Sequence, residues 1–235
     1  MPALHATPPS VTHWKPPRSA TQYSIQRRIA PGRTSKKESG FSLPAPDGAG
    51  FLLPYIGSRT DCFPDIPMEP RIRIETEADQ AAIRDINVTA FGAETEANLV
   101  DDLRTEGYAR LSLVAEINHA LVGHILFSSM SIKGENGVVD TLALAPLAVR
   151  PEWQRRGIGS RLVKEGLKEC RNAGHQIVLV VGHPQYYTRF GFSAKLAEAI
   201  ASPYSGETFM TQELAPDALR GVKGTAQYPQ PFSLL

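Results

Sequence analysis

From Arg71 onward the apolar positions change period from two to about 3.6 and back, and each change marks an element. Residues 71–75 alternate charge with Ile72 and Ile74, as a strand does. Thr76, with Asp79 at the reciprocal capping position, opens a helix through about Phe91 that gathers Ile83, Ile86 and Ala90 on one face. Gly92 stops it, and a second helix from about Glu94 to Thr105 spaces Leu99 and Leu103 four apart before Gly107. Residues 111–117 and 120–132 are β-rich runs joined by Asn118-His119, a tight hairpin. A third strand, 138–149, is interrupted by Pro146, which predicts a bulge or a local loss of pairing. A helix from about Gly157 to Ala173, closed by Asn172 to Gly174, leads to residues 176–181, an apolar run expected of a strand buried on both faces. Residues 209–214 read as a last strand.

Residues 1–69 break this order. They are rich in Pro, Ser, Thr and Gly, a composition that buries too little apolar surface to offset chain entropy. The basic residues there precede nearly all the acids, in the manner of a transit peptide, but the frequent prolines oppose the amphipathic helix such a peptide needs. The expectation is a disordered leader, or a start at Met68, followed by one domain over 70–235. Basic and acidic residues number 25 and 24, and a net charge of +1 gives no field for nucleic acid or anionic membrane. No apolar run approaches the roughly 18 residues of a membrane helix. Cys62 and Cys170, far apart, make no disulfide framework, and a soluble cytoplasmic protein, monomer or homodimer, is expected.

Chemistry enters at Gln154-Arg155-Arg156-Gly157-Ile158-Gly159, between a strand and a helix. Glycines there let an anion approach the backbone, and the helix start supplies unpaired N–H groups and the positive end of a dipole. A P-loop would need Gly-Lys-Ser/Thr, whereas Gly159 is followed by Ser160-Arg161. A dinucleotide fingerprint would need glycine where Leu162 stands and an acid at the end of the next strand, where Gly182-His183 stands. Neither motif fits.

The stretch from Gln154 to Gly159 is similar to the Gln/Arg-x-x-Gly-x-Gly/Ala signature of the Gcn5-related N-acetyltransferases (GNAT). Leu147 to Pro151 resembles that family's fourth strand and its exit, and Gly182 to Phe192 resembles a bacterial branch carrying a His-Pro-x-Tyr-Tyr segment. The likeness continues through Phe209-Met210 and Gly221-Val222 to Tyr228-Pro229, and leaves the leader outside. It implies an α/β acyl-CoA N-acyltransferase fold, a mixed, mostly antiparallel sheet flanked by helices, with acetyl-CoA in a cleft where the fourth and fifth strands splay apart. On this chain the pantetheine amides would meet Leu147, Ala148 and Val149. The pyrophosphate would meet the loop and helix start through Gln154, Arg155, Arg156, Gly157, Ile158, Gly159 and Ser160. No metal is implied.

The implied reaction moves an acetyl group from the thioester to a primary amine. The alternative is a domain that binds or senses acyl-CoA without turnover. A departing thiolate, with a thiol pKa of about 8.5, is served by a tyrosine of about 10 placed near the sulfur. Tyr187, four residues before Gly191, occupies the position of the family's general acid, with Tyr186 as a packed aromatic. The fourth strand carries no carboxylate after Asp140, so the base candidates are His183, at the mouth of the same segment, and His124, on a strand. Cys170 follows the buried stripe of its helix. Asp101, Asp102 and Arg104 read as a solvated face, while Glu94 and Glu96 open a helix that in the family borders the acceptor pocket, where negative charge would favour a cationic amine.

Overall fold

The computed structural model describes residues 69–234 apart from Asn136. The expected leader, Cys62 and Met68 lie outside the described residues. The sheet order is β1 (Arg71–Ile74), β2 (Ala109–Ile117), β3 (Ala120–Gly134), β4 (Gly137–Val149), β5 (Ile177–Val181) and β7 (Phe209–Glu213). Two short strands, β6 (Ile200–Ala201) and β8 (Gly224–Gln227), run parallel to each other, and β8 pairs with β3 beyond the reach of β2. Every contact along the main order is antiparallel except β4 with β5.

Helices cover both faces. α3 (Ile158–Asn172) lies on one, where Ile158, Leu162, Val163 and Leu167 meet Phe127, Leu142 and Leu144. Gly166 admits Phe127, since a Cβ there would come within 2.8 Å of the ring Cζ. Cys170 is buried at the foot of this stripe, its thiol pushed up to about 12 by burial and then by Glu169. The other face carries α1 (Gln80–Phe91) and α2 (Thr95–Thr105), whose Ile83, Leu99, Val100 and Leu103 pack with Val114, Leu126 and Ala143. The first helix begins as a 3-10 turn, Glu77–Asp79, and the capping box forms: the Thr76 N–H donates to Asp79 Oδ2 at 2.7 Å. Arg73 grips the same carboxylate and holds Asp79 well below the usual carboxylate range. Asn118 and His119 both take positive φ, as a two-residue hairpin turn requires.

The predicted irregularity at Pro146 is present. The β3–β4 register passes from Ile125↔Leu147 to Phe127↔Leu144, so Ala145 and Pro146 together face Leu126 as a bulge, with a cis Ala145-Pro146 peptide. The β4–β5 pairing is confined to Leu142↔Val178 and Ala143↔Leu179. Beyond Ala143 the two strands part, which leaves one side of β4 from Leu144 to Val149 without β5.

Candidate active site

The site forms where β4 and β5 separate. One wall is β4 with α3 over it: Gly123 lets α3 lie close, since a Cβ there would stand 3.1 Å from Leu162 and 3.3 Å from Ile158. Leu147 and Val149 pack under the helix start, while Ala148 turns to the opposite face beside His124. Gln154 donates to the Val149 carbonyl at 2.9 Å, so part of its capacity ties the loop to the strand end. Arg155 (φ 61) and Gly157 (φ 83) are both left-handed, and the Arg156 guanidinium lies 4.9 Å over Trp153. The first intrahelical bond of α3 is Arg161 N–H to Gly157 C=O at 3.0 Å, so the N–H groups of Ile158, Gly159 and Ser160 face outward from the helix start.

The two glycines do different things. Around Gly157 a Cβ would meet nothing within 4 Å, and the requirement there is the positive φ; this is the open side of the cradle. At Gly159 the place of a side chain is taken: a Cβ would lie 2.8 Å from the Tyr186 hydroxyl, which shares a hydrogen bond with Ser160. Tyr186 is therefore more than a packed aromatic, because its oxygen lies against the start of α3. Arg189 stacks on it at 4.6 Å and on Phe190 at 5.3 Å.

The opposite wall starts where β5 ends. Gly182 N–H bonds to Thr208 C=O, and His183 caps α4 (Pro184–Tyr187), its carbonyl accepting from the N–H groups of Tyr186 and Tyr187. Proline at the first helical position fixes this short turn. Tyr187 packs its ring against Gly182, where a Cβ would stand 3.0 Å from its Cδ2, and meets Phe192 and Tyr186 edge-on at 5.7 and 5.0 Å. Burial, then the neighbouring Tyr186, pushes the Tyr187 phenol above the usual range, so it keeps its proton at neutral pH.

His124 is elsewhere. It is fully buried between β3 and α1, and its Nδ1 takes a hydrogen bond from Asn87 Nδ2 at 3.2 Å, the same nitrogen that donates to Ile83 C=O. That leaves the proton on Nε2, which donates to Ser112 Oγ at 2.9 Å; Ser112 in turn donates to Glu75, and Arg104 clamps Glu75 through two bonds of 2.6 and 2.8 Å. Burial and then the Arg104 charge lower His124 to about 3. A neutral histidine with both nitrogens engaged inside the sheet–helix interface does not fit a cleft base. Arg104 likewise is not on a solvated face; it is the outer end of this chain. Glu75, Ser112 and Asn87 carried no signal in sequence, because only strand register brings them together.

Over residues 71–194 the chain matches the family model described as an acetyltransferase (GNAT) domain. The chain belongs to the GNAT family. It is 33% identical to the uncharacterized N-acetyltransferase YhbS of Escherichia coli K12 over 165 residues, 69% of this chain and 98% of that one. It is 44% identical to the uncharacterized N-acetyltransferase YjhQ of the same strain over 121 residues, 51% of this chain and 67% of that one. Among solved structures, E. coli YhbS in complex with CoA superposes with a TM-score of 0.67 at 32% identity, covering 71% and 93% of the two chains. A GNAT acetyltransferase from Brucella melitensis in complex with acetyl-CoA gives 0.60 at 33% identity, covering 70% and 99%. The GNAT domain thus carries the expected mixed sheet with flanking helices, and among the described residues no helix is long and apolar enough to cross a membrane.

Proposed function

We propose that this chain is an acetyl-CoA-dependent N-acetyltransferase that acetylates a primary amine directly, acts in the cytoplasm, and belongs with relatives carrying the His-Pro-x-Tyr-Tyr segment. The observation that carries the reading is the confinement of β4–β5 pairing to Leu142 and Ala143, with the start of α3 beside β4 and the Tyr187 ring against Gly182 just past the end of β5. The donor fits this chain: the unpaired side of β4 suits pantetheine amides at Leu147 to Val149, and the open side of Gly157 with the outward N–H groups of Ile158 to Ser160 suits a diphosphate. Arg155 and Arg156 add positive charge at its rim.

Tyr187 holds its proton and donates a hydrogen bond to the departing sulfur; its raised pKa favours that role over complete loss of the proton. Of the two base candidates we keep His183, which is exposed at the cap of α4, since His124 holds α1 to the sheet instead. The test is thiol release from acetyl-CoA across a panel of amines, with acetyl-CoA binding measured in parallel. Tyr187→Phe is expected to keep binding and lose turnover. Unchanged turnover refutes the acid assignment, binding without turnover on any amine favours the sensing alternative, and no acetyl-CoA binding refutes both.

A further inference from the structure

Tyr186 joins the segment after β5 to the end of β4, although the two strands no longer pair there. The last β4–β5 pair is Ala143 with Leu179, and Tyr186 is carried on α4, past the end of β5. Its hydroxyl nevertheless shares a hydrogen bond with Ser160 in the first turn of α3. The point that a Gly159 Cβ would occupy lies 2.8 Å from that hydroxyl, 3.7 Å from Val149 Cγ2 and 3.8 Å from Leu147 Cδ2. The Tyr186 oxygen and the last residues of β4 therefore surround one spot, and glycine at 159 is what lets them meet. Arg189 braces the ring: its guanidinium carbon stands 4.6 Å over it, and its Nε donates to the Tyr186 carbonyl at 3.1 Å. The Nη2 of the same arginine lies 3.5 Å from Ser160 Oγ.

The inner side of the ring faces Tyr187, which it meets edge-on at 5.0 Å, and Phe190, at 5.3 Å. Both tyrosines stand on a four-residue helix, and a helix of one turn has too few internal bonds to hold its own orientation. Its tilt is set by what its side chains touch at either end, Gly182 under the Tyr187 ring and Ser160 beyond the Tyr186 hydroxyl.

We infer that Tyr186 is a positioning residue for Tyr187, a strut whose hydroxyl, held at Ser160, fixes the α4 turn against the start of α3 and so sets where the Tyr187 hydroxyl stands. This rests on the acetyltransferase reading with Tyr187 as its acid. The test is steady-state thiol release by the full chain on the best amine of the panel, with acetyl-CoA affinity from calorimetry and urea midpoints on the same preparations. Tyr186→Phe keeps the ring and its edge contacts and loses one oxygen. It should lower kcat about five- to tenfold, the worth of one hydrogen bond, with acetyl-CoA affinity retained within about twofold. Ser160→Ala, which keeps its backbone N–H, should lower kcat to the same extent, and the double variant should lose no more than either. A second comparison reads the geometry without the reaction: Gly159→Ala should lower the urea midpoint, and adding Tyr186→Phe should restore it by removing the oxygen in the way. Wild-type kcat in Tyr186→Phe, a loss confined to acetyl-CoA affinity, kcat losses that multiply in the double variant, or a Gly159→Ala defect that Tyr186→Phe does not relieve overturns the inference. A Tyr186→Phe protein that fails to fold overturns it too, since the role is then structural. Unchanged turnover in Tyr187→Phe, or no acetyl-CoA binding at all, defeats the underlying reading instead.

Discussion

Gly182→Ala isolates the placement of Tyr187 from its chemistry. Gly182 does not use a positive φ, so alanine suits the backbone and the added methyl is the whole perturbation. That methyl would stand 3.0 Å from Tyr187 Cδ2 and 3.5 Å from Cζ, and nearer still to Cε2, where it falls about 1 Å short of normal carbon–carbon separation. Phe192 and Tyr186 press edge-on against the ring, so it cannot tilt in place and must move as a body by roughly that ångström. Displacement on this scale costs on the order of 100-fold in rate, and overpacking about 1–3 kcal/mol in stability. The assay is thiol release at saturating acetyl-CoA on the best amine of the panel, with acetyl-CoA affinity and urea midpoint measured on the same preparations. The expected result is a kcat near 1% of wild type with affinity retained. Combined with Tyr187→Phe, Gly182→Ala should add little, since both act through one hydroxyl. A folded Gly182→Ala protein with wild-type kcat, or losses that multiply in the double variant, would refute the placement of Tyr187 against the reacting sulfur.

Other outcomes follow from packing and charge. Gly166→Ala should destabilise the protein by about 1–3 kcal/mol in urea denaturation, although alanine is the better helix former by about 1 kcal/mol, because the new methyl meets Phe127. His124 binds a proton less readily folded, at about 3, than unfolded, at about 6.5, so its contribution is intact above 6.5 and is lost as pH falls toward 3. Between pH 7 and 5 this amounts to about 2 kcal/mol, and His124→Gln should flatten the pH dependence of the urea midpoint over that window. Gly157→Ala should weaken acetyl-CoA binding in calorimetry while lowering stability by about 1 kcal/mol, since alanine is strained at φ 83.

What could be read from the sequence divides by range. β2 to β4 and α3 were legible because their periods are long and their ends are punctuated, and Pro146 announced the bulge since proline cannot serve a continuous ladder. Short elements were not: β6, β8 and α4 have too few residues to show a period. The role of Tyr186 was hidden for that reason, because the four-residue α4 aims its hydroxyl at a helix start far away in sequence. His124 misled because a strand histidine reads the same whether it lines a cleft or closes a buried network, and the partners that decide it sit on β2, α1 and the segment after β1. The burial of Glu96 was open to reading, since with Leu99, Val100 and Leu103 it keeps the spacing of an inward helical face.

The parting of β4 from β5 also bears on where the sheet leaves backbone groups unpaired. Open strand edges ordinarily lie on the rim of a sheet, where any extended chain can add itself and start aggregation. Here the free backbone groups of β4 lie between two strands of one sheet, roofed by α3, so an invading peptide would have to thread its side chains through a gap closed at Ala143. The fold thereby keeps its unfinished ladder inside the sheet and away from the rim, where a neighbouring chain would find a template.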